Sequence, residues 1–216
     1  MKNNTIEILV TARRIADHAK NEGIHTAQLQ QRAHCEHMGV VLADSVLQAG
    51  LNYRTVVQPR IQNILLKFPD MNRITTLSDL IDRGETASFL AWEHPQKTIR
   101  FELLVNFLRD RGIEYVEDLR NSLMTALFVT DLQTINGIGP KTVDYMSCLV
   151  GIDSIAVDRH VRAFAKRVGV TNDDYYYLQK VFCYAADLLE VPRRELDAWI
   201  WKKESGITSS QLGLAI

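Results

Sequence analysis

The amino-acid sequence predicts an all-α protein, and three of its features carry that prediction. Apolar residues recur at helical spacing in one segment after another, as Ile6, Leu9 and Val10 do near the N-terminus. Sustained alternation of apolar and polar residues is missing from the sequence, although the turn from Gly112 to Tyr115 could hold a brief strand. Glycine or proline separates the periodic segments, which favours about ten to twelve short helices packed into a bundle.

Four helices are predicted in the N-terminal third of the chain. The first stops before Gly23, because glycine commonly follows the last turn of a helix. The third is almost entirely apolar, so we expect it to be buried on most sides. Pro59 lies in the first turn of the fourth helix or kinks it. In chain order the four predictions are Thr5–Asn21, 26–35, 40–50 and 56–68.

Four further helices and one short apolar segment are predicted in the middle of the chain. The segment 98–111 is the most strongly periodic of them, and Gly112 ends it. Serine and threonine side chains are available to cap the segment 76–83. Pro95 closes a short apolar segment. The apolar segment is 89–92, and in chain order the helices are 76–83, 98–111, 115–121 and 123–129.

Length and composition narrow the class of protein. The 216 residues suffice for one large domain or two small ones. Apolar runs are too short to span a bilayer and the first residues are too polar for a signal peptide, so we expect no membrane association. Three widely spaced cysteines argue against a disulfide framework and fit a reducing, cytoplasmic location.

A net charge of −1 means that any surface binding nucleic acid must be a local basic patch. One segment qualifies, because Arg159, Arg162, Lys166 and Arg167 fall close together without an intervening acid. These four side chains cannot all face one phosphate at helical spacing, and a solvated helix face is the alternative explanation.

The segment with the most information about function contains Asn-Gly-Ile-Gly-Pro-Lys-Thr, from Asn136 to Thr142. Gly137 and Gly139 bracket Ile138, and we expect both glycines to supply the positive φ of a tight turn. Pro140 then begins a helix at a position where its missing N–H costs nothing. Free N–H groups at the start of that helix suit an anion such as a DNA phosphate.

The sequence therefore predicts a hairpin that binds the DNA backbone. The expected contacts are Gly137, Ile138, Gly139, Lys141 and Thr142. We expect the Ile138 side chain itself to insert between the two flanking helices. The alternative is a glycine turn that merely joins two core helices.

A second motif follows the hairpin, where Val157-Asp-Arg-His-Val161 opens another helix. The two motifs together, over Leu132–Gly169, resemble the helix-hairpin-helix and aspartate motif of the endonuclease III superfamily of DNA glycosylases. The resemblance implies two helical domains with the active-site cleft between them. It implies a six-helix barrel over residues 37–150 that ends in the hairpin, and a second domain formed by residues 1–36 and 151–216.

The resemblance also implies a pair of catalytic residues. Asp158 matches the family's aspartate, whose carboxylate would stabilise the positive charge that builds on the sugar as the base leaves. Lys141 matches the lysine of the bifunctional members, whose amine attacks C1′, expels the base and leaves a Schiff base that permits strand cleavage. The simpler roles are a phosphate contact for Lys141 and a helix N-cap for Asp158.

Three functions follow from this resemblance as alternatives. The first is a glycosylase with associated lyase activity at apurinic or apyrimidinic (AP) sites. The second is a monofunctional glycosylase that uses water, and the third is a non-catalytic protein that binds DNA structures. The implied partner is double-stranded DNA with a lesion or abasic site, bound by a monomer in the cytoplasm, on the nucleoid if the source is bacterial.

The resemblance also implies further DNA contacts. The cysteine content of the sequence indicates that the cofactor of many family members is absent. Gln48 resembles a glutamine that family members insert into the gap left by the flipped base, with a polar helix terminus as the alternative. Arg159 and Arg162 are expected to contact DNA. Many members hold an iron–sulfur cluster on four cysteines, but only Cys183 follows the motif here, so we expect no cluster. We likewise expect no bound metal.

Overall fold

A computed structural model describes residues 5–24 and 34–205. In these residues every regular element is helical, which confirms the all-α class: twelve α-helices and one π-helical turn, Tyr53–Val57, with no β-strand. The α-helices are α1 (Thr5–Asn21), α2 (Met38–Leu47), α3 (Gln58–Lys67), α4 (Ile74–Asp82), α5 (Thr86–Leu90), α6 (Pro95–Arg109), α7 (Val116–Leu123), α8 (Ala126–Leu132), α9 (Pro140–Leu149), α10 (Arg159–Arg167), α11 (Tyr175–Leu189) and α12 (Arg193–Glu204).

The chain divides into two compact units, each with its own hydrophobic core. The central unit is Ala33–Ile152, and the terminal unit combines Met1–Arg32 with Asp153–Ile216. In the central unit α2 is the most enclosed element, because all of its residues are buried. It packs against α3, α4, α6 and α9, so every side chain on it faces protein.

The terminal unit is built on the pairing of α1 with α11. Ile8, Ala12 and Ile15 form part of the buried face of α1. The Thr11 and Tyr177 hydroxyl groups lie 3.0 Å apart in the same interface. This pairing brings the first helix of the chain onto a helix near its end, so both termini contribute to one core.

Two helix beginnings differ from the sequence-based prediction. Arg73 is the N-cap of α4 and makes no side-chain capping bond, so the predicted serine or threonine cap is wrong. Glu114 takes over part of that role by accepting from the Thr75 N–H at 3.3 Å. The helix predicted to begin at residue 98 begins at Pro95, where proline is compatible with the first turn.

Other predictions from the sequence have mixed outcomes. The α1 bounds agree with the prediction. Of the predicted helix 26–35, residues 26–33 lie outside the described residues, and residues 34 and 35 are not helical. The turn from Gly112 to Tyr115 holds no strand. No described helix combines the length and apolar character needed to cross a lipid bilayer.

Candidate functional site

The turn between α8 and α9 depends on glycine at one position. Gly137 has a φ of +86°, in the left-handed region that disfavours side chains. Gly139 has a φ of −96° and a ψ of −179°, which is extended backbone, so the expectation that both glycines supply a positive φ is wrong for Gly139. Ile138 between them is only 1% exposed and belongs to the central core.

Arg100, a residue of α6, lies directly on this turn. Its Nε donates a hydrogen bond of 2.8 Å to the Asn136 carbonyl. Its guanidinium also occupies the space into which a Cβ on Gly137 would project. The guanidinium therefore fixes a positive charge at this turn, from a helix that lies well outside the glycine motif.

Gly139 lies on the side of the same turn that faces open space. A Cβ built on it would meet no atom within 4 Å. Its carbonyl accepts from the Thr142 and Val143 N–H groups, whereas its own N–H has no partner among the described residues. An unpaired N–H beside the N-terminus of α9 can donate a hydrogen bond to an anion.

Alanine at each glycine should separate the two roles. Gly137→Ala should lower the free energy of unfolding by about 2 kcal/mol, because alanine is strained at this φ and displaces Arg100. Gly139→Ala should change it by less than about 0.5 kcal/mol. Urea denaturation of both variants measures the difference, and equal stabilities would contradict this account of the turn.

Lys141 is held at the start of α9 by Gln48, which is the C-cap of α2. The Lys141 Nζ donates to the Gln48 Oε1 at 2.5 Å, and both residues are half-buried. The Gln48 Nε2 is buried without a hydrogen-bond acceptor among the described residues. The structure thus brings together two residues that the sequence suggested separately.

Asp44 lies one turn before Gln48 on α2 and is 2% exposed. Its carboxyl accepts hydrogen bonds of 3.1 Å from the Tyr145 and Tyr53 hydroxyl groups. Burial raises the pKa of Asp44 to about 7, although the two tyrosines and the positive charge of Lys141 oppose that rise. Burial likewise raises the pKa of Tyr145.

Lys97, a residue of α6, supports the C-terminal end of α2. It is buried, and its Nζ donates to the carbonyls of Val46 at 2.8 Å and Ala49 at 2.9 Å. Burial, helped by the positive charges of Arg100 and Lys141, lowers the pKa of Lys97 to about 8. This ammonium satisfies carbonyls that the helix itself leaves unpaired, and it fixes the segment that carries Gln48.

Asp158, in the terminal unit, is the N-cap of α10. Its Oδ1 accepts from the His160 N–H at 2.7 Å and the Val161 N–H at 3.0 Å. The residue is half-buried, and its Oδ2 makes no hydrogen bond to any described residue. One carboxylate oxygen is therefore fixed by backbone N–H groups at the start of α10, while the other is available to a ligand.

The basic stretch on α10 is partly committed to structural contacts. Arg159 is exposed and donates to the His160 ring at 3.2 Å. Arg162 donates to the Asp173 carbonyl. Arg167 pairs with Glu22 and Glu204, which raises its pKa. Fewer positive charges are thus free for a partner than the sequence suggests.

Two further polar residues of the central unit, Thr142 and His37, take part in its packing or capping. Thr142 is buried in the central unit. His37 caps α2 by accepting from the Val40 N–H at 3.2 Å. In the part of the chain that the structure describes, no three His, Cys, Asp or Glu side chains are grouped as metal ligands would be.

Comparison of the chain with protein-family models, with curated proteins and with solved structures gave no match.

Proposed function

We propose that the protein is a DNA glycosylase with AP lyase activity, which removes a damaged or mismatched base from duplex DNA. The observation that carries this proposal is the half-buried amine of Lys141, held by Gln48 at the start of α9, two residues beyond an open glycine turn. An amine fixed beside a site for the DNA backbone is suited to attack the adjoining sugar.

The turn would bind the DNA backbone. In this proposal α8, the turn and α9 form a helix-hairpin-helix, and a phosphate oxygen accepts from the Gly139 N–H. The open space at Gly139 supports this, since a backbone without a side chain permits close approach. Arg100 supplies a positive charge at the same turn. Residues 37–150 would form the family's barrel, and residues 1–36 with 151–216 its second domain.

Lys141 and Asp158 would divide the chemistry. The neutral Lys141 amine attacks C1′ of the target nucleotide, and the bond from C1′ to the base breaks as the base leaves with its electron pair. The ring then opens to a Schiff base, and loss of a C2′ proton expels the 3′ phosphate and nicks the strand. The free Oδ2 of Asp158 would stabilise positive charge on the sugar during base loss.

Non-catalytic DNA binding is the second candidate, and one observation favours it. Both proposed catalytic residues already have structural partners, Gln48 for Lys141 and the start of α10 for Asp158. A protein that only binds DNA would use Lys141 as a phosphate contact. Such a protein would nick no DNA.

A panel of duplexes, each with one lesion or one abasic site, tests the proposal. Base release and strand nicking are measured separately on every duplex. We expect nicking of the abasic duplex and base release from at least one lesion. Base release without nicking would indicate water as the nucleophile, and binding with neither product would leave only the non-catalytic candidate.

The role of Arg100 can be tested through the salt dependence of binding. Affinity should fall as salt rises, because phosphate contacts release counterions. Arg100→Gln should reduce the slope of log affinity against log salt by about 1. Arg100→Lys keeps the charge and should restore the slope. Equal slopes in all three proteins would remove Arg100 from the DNA contacts.

A further inference from the structure

Helices α2 and α9 are linked by two successive pairs of polar side chains. Gln48 pairs with Lys141, and one turn away on both helices Asp44 pairs with Tyr145. Residues four apart share one face of a helix, so both pairs belong to the surfaces that α2 and α9 present to each other. The pair that holds the Lys141 amine is therefore one helical turn away from the buried carboxyl of Asp44. Asp44 belongs to neither the glycine motif nor the aspartate motif.

The groups around Asp44 can be named element by element. Tyr145 and Lys141 face it from α9, and Tyr53 faces it from the π-helical turn. From α6, Lys97 lies close enough to Lys141 and Arg100 for their positive charges to lower the pKa of Lys97. On α3 and α4, Lys67, Asp79 and Asp82 are exposed, and Arg60 donates to the Val56 and Ala91 carbonyls.

We propose that Asp44 is a positioning residue for Lys141: its charge decides how readily the Lys141 amine loses its proton. An ionised Asp44 stabilises the Lys141 ammonium, which donates to Gln48. A neutral Asp44 removes that stabilisation and frees the amine for attack. Since burial places the pKa of Asp44 at about 7, the carboxyl changes its charge within the neutral range. This inference rests on the proposed role of Lys141 as nucleophile.

Acetylation of the free protein measures this coupling without DNA. The rate at which acetic anhydride labels Lys141 is followed from pH 6 to pH 10 by mass spectrometry of its peptide. Only a neutral amine reacts, so the rate reports the protonation of Lys141. Lys67, an exposed lysine of the same unit, serves as internal reference, and Asp79→Asn, a change at an exposed acid on α4, serves as matched control.

In Asp44→Asn the titration midpoint of Lys141 should fall by about one pH unit, which makes labelling at pH 8 about tenfold faster. The rate constant of the neutral amine, obtained by fitting the titration curve, should not change. A merely structural role for Asp44 would instead raise the rate at every pH, because a loosened site exposes the amine. Asp79→Asn and the Lys67 rates should match the native protein.

Tyr145→Phe provides a second test that retains Asp44. Loss of one donor favours the neutral carboxyl, so Lys141 should react about threefold faster at pH 7.5. An unchanged Lys141 midpoint in both variants, with native Lys67 rates, would overturn the inference. A shifted midpoint in a protein that nicks no abasic DNA would leave the coupling intact and would remove the lyase proposal alone.

Discussion

Lys141→Gln should lose strand nicking at abasic sites by at least about a thousandfold, because an amide cannot form a Schiff base. Glutamine at this position still approximates the length of lysine, and the backbone of the glycine turn is unchanged. We therefore expect DNA affinity to stay within about threefold of the native value. Single-turnover nicking and a binding titration at one salt concentration measure both quantities.

Lys67→Gln is the matched control for that variant, since Lys67 is an exposed lysine at the end of α3. It should nick abasic DNA at the native rate. Native nicking by Lys141→Gln would show that a different group forms the intermediate. A joint loss of nicking and binding would indicate that Lys141 acts as a phosphate contact.

Asp44→Asn should change how the stability of the protein depends on pH. The pKa of Asp44 rises from 3.8 to about 7 on folding, so between these values the folded state holds a proton that the unfolded state has released. The stability of the native protein therefore falls as pH rises through this range. The full effect is about 4 kcal/mol, of which about 3 kcal/mol falls between pH 5 and pH 8.

Asparagine cannot ionise, so Asp44→Asn lacks this contribution while it keeps an acceptor for the tyrosines. Relative to the native protein, the variant should gain about 3 kcal/mol from pH 5 to pH 8 in urea denaturation. The exposed-acid variant Asp79→Asn should follow the native curve. Parallel curves for Asp44→Asn and the native protein would mean that Asp44 is ionised in the folded state throughout this range.

Local sequence predicts the parts of this structure that depend on neighbours in the chain. Periodic apolar residues locate α1, and the placement of Asp158 before Arg159 anticipates the N-cap of α10. Proline at residue 140 marks the start of α9. These features follow from helix geometry and capping, which act over a few residues.

The surroundings of Lys141 depend instead on packing between distant segments. Arg100 reaches the turn between α8 and α9 from α6, and Lys97 reaches the end of α2, although neither has a local pattern that reveals its partner. Asp44 did carry a signal, since it is the one acid inside a helix predicted to be buried on most sides. A buried acid requires partners, but only the fold identifies them as Tyr53 and Tyr145.

Borohydride reduction during incubation with abasic duplex DNA tests the central claim most directly. Reduction converts a Schiff base into a stable bond, and peptide mapping by mass spectrometry then identifies the modified residue. We expect a covalent DNA adduct on Lys141 that disappears in Lys141→Gln. Strand nicking with no adduct, or with the adduct on another amine, would contradict the assignment of Lys141 as the nucleophile.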